Sequence, residues 1–249
     1  MTKPFSSVWL RPPRQPKTSG LSREQIVAAA IELLDTEGLG ALSMRKLGAK
    51  LGAGATSLYW YVTNKDELLE LVLDEMWGEV DLPDPPTTPW REAAGVLAYN
   101  LRTTMRAHPW MVELTGRMVS LGPNVLRLNE RMRRTFHAAG FSGMDVYFAS
   151  GTVISYVLGQ VVPETTFQRR SDRQPADFDT EGVMRALRDL AGGYPELASD
   201  LEQYADTDQE ANRAMAFDFG LVCVLDGLAA RLSSTDPARP RTPPLPDPR

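Results

Sequence analysis

The sequence predicts an all-α protein in which a small N-terminal helix-turn-helix unit precedes a larger helical domain. Three observations predict it. Apolar residues recur at helical spacing over most of the 249 residues, and no segment alternates with the period of a strand. Two short helical segments flank a tight turn at Gly52-Ala53-Gly54, with a longer helix before them. Charge is also divided. Residues 1–65 carry nine basic and four acidic side chains, whereas the rest carries 18 basic and 28 acidic, within a net charge of −5.

Taken in order, residues 1–20 hold four basic residues, no acid and four prolines, and are expected to form a flexible basic arm. Ser22 and Gln25 have capping-box spacing and open a first helix through Ile26, Ala29, Ala30, Leu33 and Leu34. Gly38 follows it as a left-handed terminator. Ser43 caps a short helix, Met44–Leu51, and a third covers Ala55–Tyr61. Thr63 or Asn64 caps a fourth helix that runs to about Glu79, with Asp66 and Glu67 favoured in its first turn by the helix dipole. The helix-turn-helix unit with this bridging helix spans 21–80, and Asp81–Thr88 is a Pro-rich linker.

The second domain, 88–232, reads as helices throughout. Thr88-Pro89 opens one that His108-Pro109 ends, and a shorter one covers Trp110–Ser120. Pro123–Ala139 is stopped by Gly140, and a helix from Asp145 is stopped by Pro163 at about Val162, before a loose loop over 163–179. Two short helices cover 180–191 and 195–205. A Thr207-x-x-Glu210 box caps the last, 208–232, and the tail 233–249, with six prolines, is expected to be disordered.

Composition bounds the function. Hydrophobic residues are 43 % and charged residues 24 %, ordinary for a globular chain. No stretch reaches the ~18–20 apolar residues of a membrane span, and Met1–Arg14 lacks the apolar run of a secretory signal, so a cytoplasmic protein with no membrane partner is expected. Cys223, the single cysteine, lies among Leu221, Val222, Val224 and Leu225 and is expected to be a buried small hydrophobe. There is no phosphate loop, dinucleotide fingerprint, metal-spaced histidine set or paired nucleophile and base, so no catalytic residues, metal or cofactor are expected; a helical enzyme is the remote alternative.

The basic end suits the dense negative charge of DNA, although chance clustering of surface charge would look the same. A short helix enters a major groove when a second helix packs across it and fixes its angle. Leu42, Leu47 and Leu51, with Leu58 pointing back, would supply that packing. The third helix then presents Thr56, Ser57, Tyr59 and Tyr61, whose hydroxyls suit phosphates and base edges. Trp60 either packs or touches the DNA backbone, and Tyr59 could also be a core aromatic. Arg45 is able to grip guanine in bidentate fashion, Lys65 is placed for a phosphate, and Lys46 and Lys50 read as a solvated face.

The run from Leu42 to Leu69, and above all Ser-Leu-Tyr-Trp-Tyr-Val-x-Asn-Lys-x-x-Leu at 57–68, closely resembles the DNA-binding domain of the tetracycline-repressor (TetR) family. The resemblance implies an N-terminal helix-turn-helix DNA-binding domain plus a larger C-terminal helical ligand-binding and dimerisation domain. It also puts Arg45, Ser57, Tyr59, Tyr61 and Lys65 on family DNA-contact positions. Tyr61 stands where a histidine is common in the branch nearest the tetracycline repressor. Weaker likeness continues through His108-Pro109-Trp110, Leu121-Gly122-Pro123 and Ser155–Val161. It implies a homodimer joined by a four-helix bundle of 145–162 and 208–232, with Gly151, Ser155, Gly159, Gly220 and Gly227 allowing close approach, between subunits or within one. The implied partners are palindromic double-stranded operator DNA and an unidentified small-molecule effector that releases it; a regulator answering to a protein partner is the alternative.

Pocket candidates are Leu97, Leu101, Met105, Trp110, Arg117, Asn124, Phe136, Tyr156 and Gln160, apolar walls with a few polar groups. His108 is either a pocket wall or a helix cap. The tetracycline repressor uses histidines to bind a drug–magnesium complex, but the matching stretches here, Val80–Pro83 and Met118–Gly122, contain none. The expected effector is therefore something else.

Overall fold

The computed structural model describes residues 7–11, 21–84, 87–173, 180–205 and 208–233, and the tail beyond 233 lies outside them. Eleven α-helices occur among these residues: α1 Arg23–Glu37, α2 Met44–Lys50, α3 Ala55–Leu58, α4 Lys65–Glu79, α5 Trp90–Ala107, α6 Trp110–Thr115, α7 Pro123–Ala138, α8 Asp145–Arg173, α9 Thr180–Ala191, α10 Pro195–Ala205 and α11 Gln209–Ser233.

Local signals set most of the boundaries. Both arms of the Ser22–Gln25 capping box are made, and Asn64 Oδ1 accepts from the Glu67 amide at 2.9 Å to cap α4. Gly38 has φ +77° with an extended ψ, so it ends α1 by a positive φ without adopting the left-handed helical conformation expected of it. A 3₁₀ turn over Leu39–Ala41 follows. The helix after the linker begins one residue later than expected, with Pro89 itself as N-cap, and Pro123 is the first residue of α7. Thr207 lies outside the described residues; Asp208 Oδ1 accepts from the Glu210 amide at 2.9 Å beside the start of α11.

Three expectations are corrected. The basic arm is not free along residues 7–11. A 3₁₀ turn at Val8–Leu10 packs on α4, with Val8 buried and Glu70 accepting from the Ser7 hydroxyl at 2.5 Å and the Val8 amide at 3.0 Å. Helix α8 runs past Pro163 to Arg173, so residues 163–173 are helix where a loop was expected. Beyond the proline, the Thr165 hydroxyl donates to Val161 O, and buried Glu164 pairs with Arg102 of α5, anchoring a turn that the proline alone would end. Residues 145–165 are also apolar enough on average, at a mean hydropathy of 1.3, to meet the length and composition of a membrane span. Here Val146, Ala149, Val153, Val157 and Val161 form one buried stripe facing α5, α7 and α11, the pattern of a bundle helix.

Helix α4 joins the two halves. It packs on α1 on one side and on α6 and α7 on the other, and Leu68, Leu69, Val72, Leu73, Met76 and Trp77 are buried between them. The C-terminal helices centre on α8, which packs against α5, α7 and α11.

Candidate nucleic-acid interface and regulatory core

The helix-turn-helix is set by one close approach and one positive φ. Ser43 Oγ accepts from the Lys46 amide at 3.2 Å and starts α2. Gly52, at φ +63°, reverses the chain, and the Ala53 amide donates to Gly48 O at 2.9 Å. Gly48 itself is buried against Ala53–Ala55, where a Cβ would lie 2.7 Å from Ala53 O. Leu42, Met44, Leu47 and Leu58 of this unit are buried in the core, while Leu51 is only partly covered. Helix α3 is shorter than expected. After Leu58 the chain tightens, with the Trp60 amide on Ser57 O and the Tyr61 amide on Leu58 O. Three successive aromatics have weak helix propensity, and burial of Val62 draws the turn inward.

This places Arg45, Thr56, Ser57, Tyr59 and Trp60 at the surface, the last two 46 % and 42 % exposed, so neither aromatic is a core residue. Tyr61 is half-buried and packs against the core. Lys65 is partly committed, since its ammonium donates to Leu42 O at 2.7 Å and Leu39 O at 3.3 Å and ties α4 to the preceding turn. Lys46 pairs with Glu37 and Lys50 with Glu32 of α1, as a solvated face would. Sequence reasoning missed Arg11, which pairs with buried Glu67 and donates to the Thr63 hydroxyl at 2.8 Å. The Glu67 carboxylate also accepts from the Thr63 amide at 2.8 Å. The sequence signal was no more than Glu67 in the first turn of α4, since its burial is visible only in the fold.

Of the pocket candidates, Leu97, Leu101, Met105, Trp110 and Phe136 are fully buried in the core, with Tyr156 packed against it and Gln160 half-buried. Arg117 and Asn124 lie elsewhere. Arg117 is exposed and lines a cleft of about 670 Å³ between the Leu39–Gly40 turn, α4 and residues 113–119. Asn124 sits at the α4–α7 junction and lines a cavity of about 390 Å³ under Trp9. His108 ends α5 through its amide, which donates to Thr104 O. Its ring meets Asp35 of α1 at 2.8 Å, and the Trp110 indole donates to the same carboxylate at 2.6 Å.

A polar cluster between α5, α8 and α11 was not foreseen. Arg102 donates twice to Glu164, at 2.9 and 3.3 Å, and its guanidinium lies 4.5 Å from the centroid of the Phe217 ring. Arg106 donates to Glu210 at 2.7 Å and holds that carboxyl below its ordinary range. Tyr99 donates to Asp218 at 2.6 Å, and this bond, with partial burial, raises the phenol pKa. Burial raises that of Tyr156, whose hydroxyl donates to Phe217 O. Among the described residues no group of His, Cys, Asp and Glu is arranged to hold a metal ion.

The outer faces of α8 and α11 are apolar and uncovered. Phe148, Gly151, Ser155, Gly159 and Val162 line one, and Met215, Phe219 and Val222 the other. A Cβ at Gly151, Gly159 or Gly227 would meet open space, whereas one at Gly220 would strike Tyr156, so of these four glycines Gly220 alone serves packing within the chain. Cys223 is exposed on α11 and not buried, because an apolar helix with two packing faces turns one of them outward.

A helix-turn-helix carried on a helix shared with a larger all-helical body defines a DNA-binding transcription regulator. Residues 26–72 match the family model "Bacterial regulatory proteins, tetR family" and residues 82–232 match "Tetracyclin repressor-like, C-terminal domain". The chain belongs to the TetR family of DNA-binding transcription regulators, which are not enzymes. It is 37 % identical to an HTH-type transcriptional regulator of Saccharopolyspora erythraea, covering 80 % of this chain and 86 % of that one. It is 33 % identical to the HTH-type transcriptional repressor DrrR1 of Streptomyces coeruleorubidus, over 88 % of this chain and 80 % of that one. Among solved structures it resembles the TetR-family protein ActR of Streptomyces coelicolor in complex with actinorhodin. There the TM-score is 0.70 at 29 % identity, covering 86 % of this chain and 99 % of that one.

Proposed function

We propose that the protein represses transcription as a cytoplasmic homodimer that leaves a palindromic operator when a small molecule other than magnesium–tetracycline enters the regulatory domain. The reading head is taken as residues 21–80 and the regulatory and dimerisation domain as 88–232. Arg45, Thr56, Ser57, Tyr59 and Trp60 face the groove, with Tyr61 and Lys65 beside the phosphates.

The observation that carries this reading is the double membership of α4. One end is bonded through Lys65 to the head, and the other is packed among the helices of the regulatory domain. A shift of that helix changes the separation of two heads that must meet major grooves about 34–36 Å apart. The uncovered apolar faces of α8 and α11 supply the dimer contact. The apolar core around Leu97, Leu101, Met105, Trp110, Phe136, Tyr156 and Gln160 is where an effector inserts, and binding of actinorhodin by ActR makes that compound the first to test.

The experiment selects a duplex from a random-sequence pool with the full-length protein, then titrates actinorhodin and other small molecules against the complex. Sedimentation as a dimer, a two-fold symmetric selected site and saturable release support the proposal. A stable monomer on a non-palindromic site overturns the symmetric model, and release only by a protein partner overturns the effector.

A further inference from the structure

Helix α7 begins without a cap of its own. Its N-cap is Gly122, which has no side chain, and its first residue, Pro123, has no N–H. The next two amides are the orphan donors that an N-cap side chain ordinarily satisfies. Both are taken by a residue of another helix. Buried Asp74, in the middle of α4, accepts from the Asn124 amide at 3.2 Å and the Val125 amide at 3.0 Å, one carboxylate oxygen to each. The fourth amide, Leu126, already donates to Gly122 O, so the accounting for this helix end is complete.

The surroundings are shaped to this contact. A Cβ on Gly122 would lie 2.1–2.5 Å from the Asp74 carboxylate atoms, although its φ of −72° is open to any residue. Glycine is required there by proximity. On α4, a Cβ on Gly78 would lie 2.9 Å from Asn124 Nδ2, the atom that donates to Asp74 O at 3.1 Å. One turn of helix separates Asp74 from Gly78, so the two helices approach closely along a short seam. The Trp77 indole adds a bond to Ser120 Oγ at 3.3 Å. A carboxylate at a helix N-terminus interacts with the dipole as well as the two amides, which makes the contact directional and stiff.

We infer that Asp74 is a positioning residue that couples the reading head to the regulatory core, by holding the start of α7 to α4. Helix α7 also buries Val125, Leu128, Met132 and Phe136 in the core and packs against α5 and α8. Movement of α7 is therefore carried to α4 by a fixed bond set within their apolar packing. This rests on the reading of α4 as the shared helix. By reciprocity, DNA that fixes the head must also be felt at the α7 amides, so the coupling is measurable without an effector.

The test is amide hydrogen exchange at Asn124 and Val125, with and without a duplex selected by the full-length protein. In the wild type, operator binding should slow exchange at these two amides severalfold. In Asp74→Ala the free protein should exchange there about tenfold faster, and the operator-dependent difference should vanish while binding to the duplex persists. Asp74→Asn, which keeps one acceptor, should restore part of the difference. Leu128→Ala, a cavity in the core face of α7, should lower stability and leave the operator-dependent difference in place, which separates coupling from general loosening. Operator binding with no change at 124–125 in the wild type overturns the inference, as does a change that survives in Asp74→Ala. Failure to select any duplex overturns the DNA-binding reading instead.

Discussion

Replacing Gly48 by alanine tests whether the helix-turn-helix acts as a fixed-angle device. Gly48 is buried within α2, and the added Cβ would sit 2.7 Å from Ala53 O and 3.2 Å from Ala55 N. Close carbon–oxygen contacts between chain segments lie near 3.3–3.6 Å, so the turn must retreat by roughly 0.6 Å or more. The obstacle is backbone and has no rotamer to change. Overpacking of this kind costs about 1–3 kcal/mol, offset by about 1 kcal/mol for exchanging a helical glycine for alanine. Net destabilisation should be small, about 0–2 kcal/mol by that difference. The displacement, however, is delivered to the first residues of α3, and so to Thr56, Ser57 and Tyr59. Loss of one good base contact is about 1–3 kcal/mol, so operator affinity should fall at least about fivefold. Gly52→Ala is the matched control. Gly52 has φ +63° but open space around its Cβ, so alanine costs about 1–2 kcal/mol of strain without pushing α3. Urea unfolding and fluorescence anisotropy with a selected duplex measure the two effects separately. Gly48→Ala binding as tightly as wild type refutes the fixed-angle argument, as does an equal loss of affinity in Gly52→Ala when both are folded.

Arg45→Ala should weaken specific binding by about 1–3 kcal/mol and relax one base position in a repeated selection; an unchanged logo and affinity remove Arg45 from the readout. Glu164→Ala leaves Arg102 buried without its carboxylate and should cost about 3–5 kcal/mol of unfolding free energy, whereas Arg102→Met with Glu164→Leu should lie much closer to wild type; additive losses in denaturation contradict the paired-charge account. The bond from Tyr99 to Asp218 favours the neutral phenol in the folded state. Its stabilisation is therefore full below the ordinary phenol pKa of about 10 and lost as pH rises through the raised folded value. Urea midpoints of wild type and Tyr99→Phe should converge as the solution becomes strongly alkaline, and a constant gap between them counts against that bond.

What was legible in the sequence was local. The Ser22–Gln25 box, the Asn64 cap and the proline opening α7 each act within one turn of chain, and each helix they start is where spacing put it. The exposed hydroxyls of 56–59 followed from the turn at Gly52 and the inward Leu58. What was missed is held from far away. Pro163 read as a stop because the Arg102 that anchors Glu164 is 62 positions distant. The Asp74 cap spans 50 positions. Arg117 and Asn124 line a cleft and a cavity apart from the apolar core, a separation the sequence did not carry because spacing along a helix gives its face and not the neighbour it meets. Cys223 failed for a related reason, since an apolar helical face looks the same in sequence whether it meets its own chain or is left uncovered.

Ser7, Val8 and Arg11 carry a consequence for the modularity of the protein. They supply partners to Glu70 and buried Glu67, on the helix that carries the reading head. The head is therefore not a self-contained cassette beginning at α1. A chimera that transplants residues 21–80 onto a foreign regulatory body would leave these partners behind and strip buried Glu67 of its cation, with only the Thr63 amide left on the carboxylate, a loss that typically costs several kcal/mol. Exchange of specificity between relatives by recombination is open only at joints upstream of Ser7, or to recipients that bring their own cation to position 67.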